Sequence, residues 1–270
     1  MKVVDETAGP NAAYAMVLQT YDRYDRPIES IYFKADETPA IGPEGSNKVI
    51  REYTSRDQVS LVRYFDENGN AIQVDGVYGI NKEYNAYANL EVKTWLDADG
   101  NPVKNAEGYA KVRYDYDLSD ITTAEKYFRY YLDEEGNPTQ ALNDAWGQTM
   151  VYYPITRLHT LTYVDRNGIA MMTKDGYATL EYEEDENGNK PREWYYDEIH
   201  AAVNCADGYA SVERGFDSEG RLISERYSDR YNRRTNNKDG VASWNGYYDS
   251  EGNLVITNRY DQDLKQLPLE

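Results

Sequence analysis

Residues 93–117 read KTWLDADGNPVKNAEGYAKVRYDYD, and a related pattern returns at residues 163–180 as YVDRNGIAMMTKDGYATL. In both, an aromatic residue stands two positions before an aspartate that opens an Asp-x-x-Gly corner, and Gly-Tyr-Ala follows. Aspartate at the first position of a turn and glycine at the fourth favour a tight connection between two strands. The stretch therefore predicts a strand, a corner and a return, used more than once along the chain.

The pattern repeats with a period near 32 residues over the whole chain. The repeat units begin at Tyr14, Ser46, Val77, Tyr109, Gln148, Tyr177, Tyr209 and Val241. The fourth residue of every unit is apolar: Val17, Val49, Ile80, Val112, Val151, Leu180, Val212 and Trp244. Deeper in every unit an aromatic residue recurs: Tyr32, Tyr64, Trp95, Tyr131, Tyr163, Tyr195, Tyr227 and Tyr260. Two columns at one period indicate a repeat array, so we expect an N-terminal tail at 1–13 and a single repeat domain at 14–270.

Inside a unit the hydrophobic period is two, which is typical of a half-buried strand. In YATLEYEE, for example, Ala178, Leu180 and Tyr182 share one face, while Thr179 and Glu181 point to the other. One hairpin cannot bury its own apolar face, but hairpins stacked on neighbours can. The predicted fold is all-β: a β-solenoid-like stack of about eight β-hairpin units.

Helical spacing is rare in this sequence. The best candidate is residues 119–132, SDITTAEKYFRYYL, which begins with Ser119 as a cap and falls in the one long unit. An inserted turn of helix is therefore the alternative to a strand at that place.

Composition narrows the class of partner. The chain has 270 residues, a net charge of −19 and 28 tyrosines, so we expect a thin aromatic core under an acidic surface. Such a charge disfavours nucleic acid and anionic membrane surfaces, and no apolar run is long enough for membrane insertion. The single Cys205 cannot form an internal disulfide. The absence of an internal disulfide fits a bacterial cell surface or secretion as part of a longer protein, or the cytoplasm if the chain is attached to a wall-polymer transferase.

Metal and catalytic chemistry find little support in the sequence. The DADG segment at 97–100 resembles part of a calcium loop, but the preceding alternate position holds Trp95, which cannot be a ligand. His159 and His200 fall in different units at unrelated positions, and no nucleophile or phosphate motif occurs. We therefore expect no catalytic residue, no metal and no cofactor, and the chain is not expected to be an enzyme.

The surplus of aromatic residues points to a ligand instead. Aromatic faces stack on the C–H faces of sugars, and a repeat array would offer such a platform along a polymer, with weak sites adding by avidity. The alternative is that the tyrosine columns are simply the core. The candidate exposed aromatic residues are Trp95, Tyr131, Tyr163, Trp194, Tyr195, Tyr227, Tyr247 and Tyr248.

Several stretches resemble known repeat families. RYFDENGNAI at 63–72, RYYLDEEGNPT at 129–139 and GYYDSEGNLV at 246–255 are similar to Gram-positive cell-wall-binding repeats of the choline- and glucan-binding kind. YDRYDRP at 21–27 and GFDSEGRLISERYSD at 215–229 are similar to the tyrosine-aspartate (YD) repeats of Rhs-type shells. The DGYA and YYDxxGNP patterns resemble arrays attached to wall-polymer transferases of Gram-positive anaerobes.

The resemblance implies a stacked β-hairpin fold and a cell-wall ligand. It departs from the choline-binding type, because those repeats are shorter and use a Gly-Trp pair that this chain lacks. We therefore predict a non-catalytic module that binds carbohydrate, either polysaccharide or cell-wall glycan. The alternatives are a protein-interaction, spacer or targeting scaffold of a larger surface or transferase protein, with a protein partner, and a fragment of an Rhs-like shell.

Overall fold

The computed structural model describes residues 2–4, 14–117 and 124–269, and these contain strands and turns without a helix. The chain forms two compact regions: an N-terminal region of residues 1–114 and 131–139, and a C-terminal region of residues 115–130 and 140–270. The all-β hairpin array predicted from the sequence is confirmed.

The strands follow one another at nearly regular intervals. The first eight are β1 (Lys2–Val4), β2 (Met16–Tyr21), β3 (Pro27–Phe33), β4 (Lys48–Tyr53), β5 (Val59–Phe65), β6 (Gly79–Tyr84), β7 (Leu90–Leu96) and β8 (Lys111–Asp117). The next nine are β9 (Glu125–Leu132), β10 (Gly147–Tyr153), β11 (Leu158–Val164), β12 (Thr179–Glu183), β13 (Arg192–Tyr196), β14 (Ser211–Phe216), β15 (Leu222–Ser228), β16 (Ser243–Tyr248) and β17 (Leu254–Tyr260). Consecutive strands pair antiparallel from β1 to β8 and from β9 to β17.

The two sequence columns face each other across each hairpin. Val49 lies opposite Tyr64 and Val212 lies opposite Tyr227, and the repeats that begin at Tyr14, Val77 and Tyr177 show the same pairing of the apolar fourth residue with the aromatic residue. Val49 and Val212 are almost completely buried. The side chains of directly opposed residues are in contact, so the two columns form the core of the array.

Strand pairing changes the repeat alignment at two places. Gln148, not Val151, lies opposite Tyr163, so the fifth repeat begins at Ala145 rather than at Gln148. Trp244 lies opposite Arg259, so the last repeat has an arginine in the aromatic column and Tyr260 lies one position further on. Neither shift is visible in the sequence, because Val151 is apolar and Tyr260 is aromatic, as the two columns require.

The helix considered at 119–132 is not present in its described part. Residues 125–132 form β9, which pairs with β10 through partners such as Tyr127 and Met150. The other part of that segment, 119–123, lies outside the described residues. Similarly, residues 2–4 of the predicted N-terminal tail form β1 and pair with β2.

The Asp-x-x-Gly segments are corners, as predicted. At Asp97 one carboxylate oxygen accepts the backbone N–H groups of Asp99, at 3.0 Å, and Asn101, at 2.8 Å. Gly100 has a φ of 90°, a left-handed conformation that glycine adopts without steric cost. The carboxylate is thus used by its own turn.

Candidate functional site

Tyrosine rings form a row through the C-terminal region, in tilted and edge-to-face contacts. This ring ladder consists of Tyr163, Tyr177, Tyr195, Tyr209 and Tyr227, taken alternately from the aromatic column and from the first position of the next repeat. Successive ring centroids lie 5.8, 4.8, 5.7 and 4.7 Å apart. Aromatic contacts at these separations contribute about 0.5–1.5 kcal/mol each beyond the area they bury. The Tyr163–Tyr177 and Tyr195–Tyr209 contacts therefore join repeats five, six and seven.

The ladder hydroxyls end on a buried ionic network. Tyr195 donates to Glu193 at 3.0 Å and Tyr227 donates to Glu225 at 2.5 Å. Arg214 bridges the two carboxylates, at 2.9 Å from Glu193 and 3.0 Å from Glu225. Burial raises the pKa of Tyr195 and Tyr227, so both hydroxyls stay neutral and serve as donors.

The eight aromatic residues predicted to be exposed fall into three classes. Buried in the core are Tyr131, Tyr195 and Tyr227. Half-buried are Trp95, Tyr163, Trp194 and Tyr248. Only Tyr247, at 53% exposure, is open to solvent. The exposure predicted for the three buried tyrosines is therefore wrong, because the tyrosine at the first position of a repeat packs on these rings: Tyr109 on Tyr131, and Tyr209 on both Tyr195 and Tyr227.

Trp194 lies on the opposite face of the strand from the ladder. Its cross-strand partner is Glu181, whose carboxylate accepts a hydrogen bond from Thr160 at 3.2 Å and lies 3.2 Å from Nε2 of His200. The His200 ring stacks on Tyr196 with centroids 4.1 Å apart. This cluster combines a half-buried indole with polar groups that already contact one another.

The most exposed tyrosines are at turns that connect strands. Tyr87 is 79% exposed and Tyr24 is 59% exposed. Each lies in a hairpin tip, defined here as the turn between the two strands of one repeat. The Tyr24 ring lies between the guanidinium groups of Arg23, 4.7 Å from its centroid, and Arg26, at 4.9 Å.

Successive hairpin tips of the N-terminal region are joined sideways. Arg26 donates to the backbone carbonyl of Thr54 at 2.8 Å and pairs with Asp57 at 2.9 Å. Arg56 donates in the same way to the carbonyl of Ala86 in the next tip. The row of tips at 22–25, 54–57 and 85–88 is thus held as one surface, here called the tip row.

Sequence reasoning missed these tip tyrosines because it followed the strand columns. A signal was present: Tyr24 and Tyr87 each stand two residues after an Asp or Asn that caps the turn. Asp22 and Asn85 accept the N–H groups of these tyrosines at 2.8 and 2.9 Å. A side chain at that place in a turn points away from the sheet, so such tyrosines are exposed.

The histidines contact aromatic rings. His159 lies between the rings of Tyr152 and Tyr182, with centroids 4.4 and 4.5 Å away, and burial lowers its pKa. Among the described residues no group of three or more His, Cys, Asp or Glu side chains could hold a metal ion. Within the same residues no helix is long and apolar enough to cross a membrane.

No family model matches the chain, and no curated protein matches it. Among solved structures, a Photorhabdus luminescens Tc holotoxin pore with a mutant TccC3 is similar at 11% identity and a TM-score of 0.31, over 92% of this chain and 13% of that chain. The crystal structure of TcdB2-TccC3-TEV is similar at 12% identity and a TM-score of 0.24, over 94% of this chain and 16% of that chain. The chain thus spans less than a fifth of either protein, and similarities this weak assign no function.

Proposed function

We propose that the chain is a non-catalytic scaffold of stacked hairpins that uses its tip row to contact a partner protein, as a spacer or targeting part of a larger protein. The observation that carries this proposal is the burial of the recurring tyrosines. Tyr131, Tyr195 and Tyr227 pack within the array, so their rings are committed to structure. The aromatic surface left for a partner lies mainly at turns.

The tip row has the residue types that dominate protein interfaces. Tyrosine and arginine are enriched among residues that contribute most to binding. Tyr24 and Tyr87 are exposed there beside Arg23 and Arg56, and neither arginine forms an ion pair within the described residues. The sideways bonds between tips hold the tip backbones and the Arg56 side chain in place, which lowers the entropy lost on binding. The partner that fits presents carboxylates to the two arginines and apolar groups to the two rings.

Affinity capture with two matched double variants tests this proposal. Tyr24→Ala/Tyr87→Ala removes the rings of the tip row, whereas Tyr231→Ala/Tyr247→Ala removes two exposed rings of the C-terminal region. The proposal expects a partner that the wild type and the second variant retain and that the first variant loses. A partner that binds all three proteins equally would contradict a role for the tip row.

Polysaccharide binding is the second candidate function. The observation in its favour is that Tyr87 and Tyr247 present open rings, at 79% and 53% exposure, next to the polar turn residues Asn85 and Asp249. Sugar recognition uses such rings as platforms. A glycan array and a pull-down on insoluble cell wall, with the same two double variants, distinguish the two candidates. A wild-type signal that is lost in either variant would favour polysaccharide binding. The absence of a wild-type signal would contradict polysaccharide binding.

A further inference from the structure

The ring ladder lacks one ring near its C-terminal end. Tyr177 and Tyr209 occupy the first position of repeats six and seven, but Val241 occupies that position in repeat eight. In the preceding step, Tyr209 fills the space between Tyr195 and Tyr227. Because valine has no ring, the corresponding step from Tyr227 onward has no aromatic contact.

A pocket lies at this step of the array, beside Tyr227 and Val241. It has a volume of about 300 Å³, and its apolar wall consists of Tyr227, Val241, Trp244, Ile256 and Leu269. Ligand sites usually enclose about 300–1,000 Å³, so this one suits a small molecule with a single ring. All of these residues belong to the C-terminal region.

The pocket also contains a cation that the fold does not use. Arg259 stands in the aromatic column, lines the pocket and is half-buried. Its guanidinium group has no hydrogen bond or ion pair among the described residues. By contrast, Arg214 in the preceding repeat pairs with both Glu193 and Glu225. A free guanidinium group is a bidentate donor for a carboxylate.

The acidic residues of the pocket leave Arg259 available. The Glu225 carboxylate already accepts hydrogen bonds from Tyr227 at 2.5 Å, Trp244 at 2.9 Å and Arg214 at 3.0 Å. Asp239 also lines the pocket, is exposed, and can accept a hydrogen bond from a hydroxyl group. The lining thus offers an aromatic slot, a donor pair for a carboxylate and an acceptor for a phenol.

From these features we propose that the pocket binds a phenolic carboxylate, either a free hydroxyphenyl acid or the C-terminal tyrosine of a peptide. The ring occupies the space that tyrosine fills in the two preceding repeats. The carboxylate pairs with Arg259, and the phenol hydroxyl donates to Asp239. This site is separate from the tip row and does not depend on the proposed scaffold function.

NMR titration of the full chain with matched probes tests the proposal. The probes are 4-hydroxyphenylacetate, its neutral analogue 4-hydroxyphenethyl alcohol, and the dipeptide acetyl-Gly-Tyr with a free or an amidated C-terminus. Binding is expected for the probes with a carboxylate, with shifts at Val241 and Trp244, and should be about 10- to 100-fold weaker without it. The relative affinity of 4-hydroxyphenylacetate and the dipeptide shows whether the pocket prefers a free hydroxyphenyl acid or the C-terminal tyrosine of a peptide. Equal binding of charged and neutral probes, or none by any probe, would overturn the proposal.

Two variants test separately whether the ligand ring binds beside Val241 and whether the ligand carboxylate pairs with Arg259. Arg259→Gln is expected to weaken the charged probes about 10- to 100-fold, while Arg226→Gln, at an exposed arginine outside the pocket, leaves binding unchanged. Val241→Tyr places the chain's own ring in the slot and is expected to abolish binding while raising the unfolding temperature. Full binding by Val241→Tyr would contradict binding of the ligand ring beside Val241. Full binding by Arg259→Gln would contradict the salt bridge between the ligand carboxylate and Arg259. Val241→Tyr keeps the test decisive even if Arg259→Gln fails to fold.

Discussion

Tyrosine has different environments in the ring ladder and at the hairpin tips. In the ladder, Tyr195 is 8% exposed, contacts rings on both sides and donates its hydroxyl to Glu193. At the tips, Tyr87 is 79% exposed and lies outside the strands. The difference shows that the position of a tyrosine within the repeat decides whether it supports the fold or is exposed to solvent.

The comparison also separates two ways of making a turn. The last three tips of the C-terminal region use glycine in the left-handed position, as in Gly188 and Gly252, with φ of 81° and 83°, whereas the β10–β11 tip has Arg157 there, with φ of 53°. Tips of the N-terminal region place Asp25, Asp57 and Ala88 there, with φ of 60–68°. A residue with a side chain costs more in this conformation. Gln58 donates to the carbonyl of Ala88 at 2.6 Å. Together with the sideways bonds from Arg26 and Arg56, this bond stabilises the N-terminal tips and offsets that cost.

The largest effect is expected at the ladder. Tyr195→Ala removes a buried ring from between Tyr177 and Tyr209 and should cost about 3–5 kcal/mol of unfolding free energy. Urea denaturation measures it. A loss below about 1 kcal/mol would show that the repeats are not joined by their rings.

A smaller loss is expected when only the hydroxyl group is removed. Tyr195→Phe keeps the ring stack but removes the donor to Glu193, which is itself buried. A hydrogen bond to a charged group contributes about 1.5–3 kcal/mol, and Arg214 still pairs with Glu193, so we expect the lower end of that range. The same denaturation experiment measures the change. Tyr247→Phe, at an exposed ring, is the matched control and should be neutral.

The turn comparison predicts an effect of about 1 kcal/mol at a glycine tip. Gly252→Ala adds a Cβ that meets no atom within 4 Å, so the loss comes from the left-handed backbone alone. Ala88→Gly makes the reverse change in the N-terminal region and should leave the unfolding free energy unchanged or slightly higher. Equal destabilisation by both substitutions would contradict the turn comparison.

Acid should weaken the corners. The backbone N–H of Asn101 donates to Asp97 and lowers the pKa of that carboxyl, and Ile169 acts in the same way on Asp165. A carboxyl whose pKa is lower in the folded state stabilises the protein above its unfolded pKa of about 3.9 and loses that contribution as the pH falls through the folded pKa. The unfolding temperature should thus be nearly constant above pH 5 and fall below about pH 4. Asp97→Asn keeps the acceptor oxygen, so its contribution should no longer depend on pH.

The smallest effect on stability is expected at the tips. Tyr87→Ala should change the unfolding free energy by less than about 0.5 kcal/mol, because the ring is almost fully solvated. Thermal unfolding measures this, with Tyr195→Ala as the contrasting variant. A large loss at Tyr87 would mean that the tip ring supports the fold.

Much of the fold could be predicted from the sequence. Alternation of residues and the corners at Asp97 and Asp165 indicated hairpins, since both signals are local. The alignment of the fifth and eighth repeats could not be found in this way. Val151 and Tyr260 satisfy the sequence pattern, whereas Gln148 and Arg259 do not, and only strand pairing shows that Gln148 and Arg259 occupy the two columns.

The candidate site was harder to predict. An aromatic residue in a strand column gives no sign of whether another ring covers it: Tyr195 packs against Tyr209 of the next repeat, and Tyr227 packs against Tyr209 of its own repeat. Exposure depends on packing between repeats, which a single unit does not encode. The capped turns around Tyr24 and Tyr87 were a readable signal, because a turn residue rarely meets a neighbouring strand.

Pairing of each strand with its neighbours in sequence also bears on how the chain folds. Contacts between residues close in sequence lower the entropy of loop closure, and chains dominated by them fold quickly. A hairpin such as β4–β5 can form soon after its residues leave the ribosome and then act as a template for the next one. Growth of the array can therefore keep pace with translation, without waiting for a distant segment to be synthesised.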